Sequence, residues 1–262
     1  MKKLFYFFKV SFVKSVQDLI RYKFNTLTNI ATFYFLFMAM LLGLKILGNT
    51  LSSSPLKIGS SIDTFIIAYF LWTVMYMAYA NIAYAIINDA SKGTLEQIAM
   101  SNLGLHSVVI VRGICETIIN FIMCFVVLFL AMYTSGRWIN VKALQIIVIL
   151  FIGMFSMFGI GLIFGGLAII FKRINAVLNL VQYFLIGLTM IDTTQLASIF
   201  IPFVPAINMV YKLSLGESTL LSFSIQNYII LIANSVLFFS IGLFVFKYCC
   251  NKAKKKGLLG QY

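Results

Sequence analysis

Apolar and polar positions fall into long blocks along this chain. In residues 2–24, Phe5, Phe8, Phe12, Val16 and Leu19 recur at helical spacing, and Lys14, Gln17, Asp18 and Arg21 share another face. That pattern predicts an amphipathic helix over 1–24, lying in a membrane interface. Six long apolar segments follow, near 27–48, 62–87, 108–134, 142–171, 174–191 and 225–248. A helix needs roughly 20 apolar residues to cross about 30 Å of hydrocarbon, so these segments are read as spans. The run from Ile30 to Leu47 exceeds a signal-peptide core and is read as the first of them. Ser52, Ser53, Ser54 and Pro55 signal a loop. The adjacent cations Lys172 and Arg173 would cost about 2.5–3.5 kcal/mol each at mid-bilayer, so they mark a short turn between the fourth and fifth spans. The expected architecture is a single all-α transmembrane domain over 1–262, with no internal repeat and no soluble domain.

Composition fits that picture. The chain is 61% hydrophobic and 10% charged, whereas a soluble domain is about one quarter charged. The net charge of +13 would raise the question of nucleic acid in a soluble protein. Here the cations sit at the ends of apolar runs, so they speak for topology and anionic lipid instead. They concentrate in residues 2–24, at Lys92 and Arg112, at Lys172 and Arg173, and in Lys247–Lys256. The opposite side holds only Lys45, Lys57, Arg137, Lys142 and Lys212. This asymmetry predicts that both termini are cytoplasmic. The Lys- and Phe-rich, Pro-poor composition suggests a bacterial plasma membrane. Cys115, Cys124, Cys249 and Cys250 lie within spans or on the cytoplasmic side, which is no disulfide framework.

The sequence holds no P-loop, no H-E-x-x-H and no G-x-S-x-G. One histidine, His106, cannot build a metal site alone. No catalytic residue and no resident cofactor are expected. Glu116 is the one acid well inside an apolar segment, one turn after Arg112, and i,i+4 pairing between them is expected. Few ionisable groups lie deep in the spans, which counts against an ion-driven pump.

The connection 88–107 is polar and carries its own helix signal. Thr94 and Gln97 suit a capping box after the breaker Gly93. Leu95, Ile98, Ala99 and Asn102 would then share one face. Such a helix can dock in a groove of a cytoplasmic partner or rest on lipid. The run Gly93-Thr94-Leu95-Glu96-Gln97-Ile98, followed by Ser101, resembles the loop between the second and third spans of type-2 (export-class) ABC transporter permeases. A G-T-L-E-Q-L run is typical there, often followed by S-P-L; this chain reads Ser101-Asn102-Leu103. The basic amphipathic start is similar to that family's elbow helix. The connection 192–224, with Ile201-Pro202-Phe203-Val204-Pro205-Ala206, is similar to its short helices dipping into the outer leaflet.

The resemblance implies the membrane half of an ATP-driven exporter. Two permease copies, identical or related, pair above two ABC ATPase subunits, and ATP and magnesium sit on the ATPase chain. It also implies that Thr94, Leu95, Glu96, Gln97, Ile98 and Ser101 form the coupling helix. The competing classes are an ATP-independent transporter or channel, a membrane-embedded enzyme, and a scaffold or immunity protein.

Residues facing a substrate are less sharply marked. Tyr69, Trp72, Tyr76 and Tyr79 follow 3–4 spacing on the second span. They form either an aromatic wall for an apolar or cationic substrate or ordinary helix packing. Asn81 lies on a neighbouring stripe, and Asn175, Asn179 and Gln182 line one face of the fifth span. Amides in lipid need partners, and helix–helix contact is the favoured role. Gly161 and Gly165 form a small-xxx-small pair, with Gly153, Gly159 and Gly166 nearby.

Overall fold

A computed structural model describes residues 2–50, 58–139, 143–171, 174–190, 197–215 and 219–256. Among them there is no strand. The helices are α1 (Lys2–Arg21), α2 (Lys23–Thr50), α3 (Ile58–Ser91), α4 (Leu95–Ala99), α5 (Gly104–Ser135), α6 (Ala143–Phe171), α7 (Asn175–Leu188), α8 (Val204–Ser214) and α9 (Ile225–Lys255). Five are long and apolar enough to cross a membrane: Lys23–Ile46, Ile62–Ser91, Gly104–Ser135, Leu144–Phe171 and Ile225–Lys255. The chain therefore has multi-pass membrane character. The loop signal at Ser52–Pro55 and the Lys172–Arg173 pair lie outside the described residues.

The segment expected to span at 174–191 is a shorter object. It forms the 14-residue helix α7, about 21 Å long at 1.5 Å per residue and short of the hydrocarbon thickness. Beyond the undescribed residues 191–196, the 3₁₀ turn Ala197–Phe200 and α8 continue the chain.

Side-chain pairings fix the helix directions. On α6 and α9, Ile152 meets Ser235, Gly159 meets Phe238 and Gly242, and Gly166 meets Phe246 and Cys249, so the two run parallel. Gly161 against Tyr79 and Gly165 against Ile86 make α3 parallel to α6 as well. Antiparallel to α3 run α2 (Phe33 by Tyr76, Phe37 by Phe65), α5 (Arg112 by Asp89, Phe125 by Phe70) and α7 (Leu178 by Tyr79, Gln182 by Trp72). One end of the bundle thus holds α1, α4 and the tail of α9; the other holds α8.

Glycine decides how closely the central helices approach. A Cβ at Gly159 would collide with the Phe238 carbonyl, and one at Gly242 with the Gly159 backbone. The pair Gly161 and Gly165 faces α3, Gly159 and Gly166 face α9, and Gly153 faces Phe203 and Ala206 of the α8 region. Lipid tails are as apolar as Leu, so close backbone packing of this kind is a main source of helix association in a bilayer. The result is steeply graded burial. The most apolar stretch of α3 is 83% buried, that of α2 only 11%.

The α8 region folds back into the bundle. Phe203 takes φ 66, a left-handed conformation unusual for a residue with a Cβ, and it caps α8. Asn234, wholly buried on α9, holds it there. Its Oδ1 accepts from the Phe203 N–H at 3.2 Å, and its Nδ2 faces the carbonyls of Ser198, Ile199 and Ile201 at 3.3, 2.8 and 2.9 Å. Asn234 lies nine residues into α9, so this turn sits about 14 Å along the helix from its start. Backbone groups that far from water need such a partner.

Candidate functional sites

The connection between α3 and α5 is built on one acidic residue. Gly93, at φ 69, ends α3 in the left-handed conformation. Its N–H donates to the Ala90 carbonyl at 3.0 Å and that of Thr94 to the Asp89 carbonyl at 2.9 Å, the double bond of a Schellman cap. The Thr94 hydroxyl also donates to the Asp89 carbonyl, at 3.1 Å. It is therefore turned toward α3, and the capping box expected with Gln97 does not form. The Asp89 carboxylate meanwhile accepts from Arg112 Nη1 of α5 at 2.6 Å. Asp89 so joins the end of α3, the start of α4 and α5.

This pairing corrects a second expectation. Arg112 serves Asp89, and Glu116 makes no ion pair with it. The geometry explains the choice: Asp89 is already fixed by the cap and presents its carboxylate across the helix pair, whereas Glu116 faces a polar cavity.

α4 lies with Leu95 fully buried and Ile98 and Ala99 half-buried against its own bundle. A five-residue helix anchored between Gly93 and Gly104 covers its apolar face with the ends of α3 and α5. Outward point Glu96, Gln97, Met100 (73% exposed), Ser101 and Asn102. The residues predicted for coupling are thus brought together but divide in two: Leu95 is an anchor and Thr94 a tie, while Glu96, Gln97 and Ser101 are surface. Gln97, Ile98, Ser101 and Asn102 also border a groove of about 460 Å³ shared with Phe7 of α1.

α1 packs on α5, with Ser11 buried, the Cys115 thiol 3.7 Å from the Phe8 carbonyl, and Phe12, Val16 and Leu19 half-buried. Phe5 stays exposed, outside the expected apolar face. Only Tyr22 separates α1 from α2.

Most of the residues considered as a substrate path serve as joints between helices. Tyr69 donates to the Phe33 carbonyl of α2 at 2.5 Å, Trp72 Nε1 to the Gln182 carbonyl of α7 at 2.9 Å, and Tyr79 to the Leu178 carbonyl at 2.8 Å. Tyr76, half-buried, packs between Phe33, Trp72 and Tyr79. Asn179 accepts from Tyr84 at 3.3 Å. These contacts give the polar tips of Tyr69, Trp72 and Tyr79 partners inside the bundle. Asn175 is exposed, and Asn81 points away from this column into the polar cavity.

No family model, no curated protein and no solved structure matches the chain. The geometry of these sites therefore carries the functional reading. Among the described residues no group of three or more His, Cys, Asp or Glu side chains could hold a metal ion. Sequence reasoning missed two residues. Asn234 was detectable as the one carboxamide deep in the apolar run 225–248, past Gln226 and Asn227 at its start. Asp89 was detectable as an acid placed four residues before Gly93 in a strongly basic chain.

Proposed function

We propose that the chain is the membrane-spanning permease subunit of an ATP-driven exporter of the type-2 ABC class. It works with ATPase subunits on a separate chain and with a second permease copy, identical or related. Six crossings are proposed, with α7 in the fifth. Both termini face the cytoplasm of a bacterial plasma membrane. One observation carries the reading: the 92–103 connection is tied to α3 through Gly93 and Thr94 and to α5 through Asp89 and Arg112. A push on α4 from outside the bundle is therefore delivered to two long helices at once. Three further features support it. The Gly93–Ile98 run resembles the coupling loop of that class, α3 and α5 are antiparallel neighbours, and the α4 end carries most of the cations.

The outward face defines the test. Tagged full-length protein is purified in mild detergent as wild type and as Gln97→Lys plus Met100→Asp, both at exposed positions. A near-stoichiometric ATPase that accompanies the wild type and is lost from the variant, at equal melting temperature, supports the proposal. Export activity by the chain alone, with no ATPase bound, would overturn it in favour of an ATP-independent carrier. Leu95→Asp is the wrong probe, because it places a charge in the bundle and unfolds the site it is meant to test.

A further inference from the structure

A polar cavity of about 250 Å³ opens among α1, α2, α3 and α5. Its walls carry Asp18, Asn25, Asn29, Asn81, Glu116 and Asn120. Two of the chain's seven acidic residues line it, and none of its twenty lysines and arginines does. The cations that act on Glu116, Lys14 and Arg112, do so from outside the lining, and Arg112 is already held by Asp89. No side chain of these six makes a hydrogen bond or salt bridge with another described residue. Glu116 lies twelve residues into α5, about 18 Å along the helix from Gly104. Asn25, Asn29, Asn81, Glu116 and Asn120 of the candidate spans and the exposed Asp18 of α1 therefore converge on one cavity without protein partners, and such groups are costly within a span unless satisfied. The space equals about eight water volumes at roughly 30 Å³ each, far more than a bare metal ion needs.

We infer that this cavity binds a primary ammonium group carried by a small organic molecule or a lipid headgroup. Its carboxylates match the charge, and its amide oxygens accept the N–H bonds that the carboxylates leave over. This site is separate from the α4 surface and does not depend on the exporter reading. The probe is n-butylammonium, titrated calorimetrically into the full-length protein in phosphatidylglycerol nanodiscs, with uncharged n-butanol as the comparison. Saturable binding of the amine, at least 10-fold tighter than the alcohol, is expected. Glu116→Gln and Asp18→Asn should each weaken it at least 10-fold at unchanged melting temperature. Asn81→Leu, which keeps both carboxylates, should weaken it at least threefold and serves if a neutralised variant fails to fold. Replacing half the lipid by phosphatidylethanolamine separates the two sources. A 10-fold fall in apparent affinity, absent from Glu116→Gln, identifies a lipid headgroup site; an unchanged affinity identifies a soluble amine. Absence of saturable binding, equal binding of n-butanol, or wild-type affinity in folded variants would overturn the inference.

Discussion

α6 and α2 are both long, apolar helices, yet the bundle treats them in opposite ways. α6 meets α9 backbone to backbone across Gly159 and Gly242, and it meets α3 across Gly161 and Gly165. α2 meets α3 through side chains, with Phe33 and Phe37 against Tyr69, Trp72 and Tyr76 and the Tyr69 hydroxyl on the Phe33 carbonyl, and leaves Phe24, Phe35 and Leu42 exposed. α6 is also the more apolar, with a mean hydropathy of 2.7 against 1.8 for α2, but in a bilayer an exposed Phe has no water to avoid. What separates them is whether a side chain stands between the backbones.

The strongest way to break that contrast is to restore a side chain at the closest contact. Gly159→Leu or Gly242→Leu should cost about 3 kcal/mol or more, since the obstructing atoms are backbone and cannot move aside. Loss of monodisperse protein on gel filtration and a collapsed unfolding midpoint in an SDS titration would report it. Gly43 of α2 has open space beside it, so Gly43→Leu should leave both measurements near wild type. Next in size is Asn234→Leu, which keeps the volume and strips Phe203 and the 3₁₀ turn of their partner. About 2–3 kcal/mol is expected from the unsatisfied backbone groups, read in the same titration.

Smaller effects sharpen the comparison at the aromatic joints. Tyr79→Phe removes one hydrogen bond to α7 and should cost about 1 kcal/mol; Tyr69→Phe should cost a similar amount at the α2 joint. The smallest effect belongs to Phe35→Ala, on the open face of α2, expected within about 0.5 kcal/mol. A loss above 1.5 kcal/mol there, dependent on protein concentration, would mean that this face meets a second polypeptide and that α2 is a packed helix after all.

The helical class and the apolar blocks were legible in the sequence because the bilayer demands long unbroken runs. Four of the expected spans match helices to within four residues at each end, and a fifth, 225–248, matches α9 at its start while the helix runs on to Lys255. Over the expected span 174–191 the structure has the shorter helix α7, because hydropathy counts apolar residues and cannot see where a helix stops; α7 ends at Leu188. The glycine cluster of α6 was legible, but the division of its faces between α3 and α9 was not, since that depends on helices far away in the sequence. At the α4 connection, periodicity placed Leu95, Ile98 and Ala99 on one face, and the structure turns that face toward the chain's own helix ends with Asn102 pointing outward. A stripe of Leu95 and Ile98 looks the same whether another protein or the chain's own helix ends cover it. The Thr94 cap failed for a related reason. Its hydroxyl had two helix ends within reach, and the Schellman turn at Gly93 brought the Asp89 carbonyl closer.

The parallel pairing of α6 with α9 also has a consequence for biosynthesis. The glycine face of α6 is complete once Phe171 is made, but its partner ends at Lys255. At about 5–20 residues per second, the ribosome needs roughly 4–17 s to supply it. During that interval a helix designed for backbone contact sits in the membrane with its groove open. Truncation anywhere before α9 would make the interval permanent, so the late-made α9 is the helix that closes this groove.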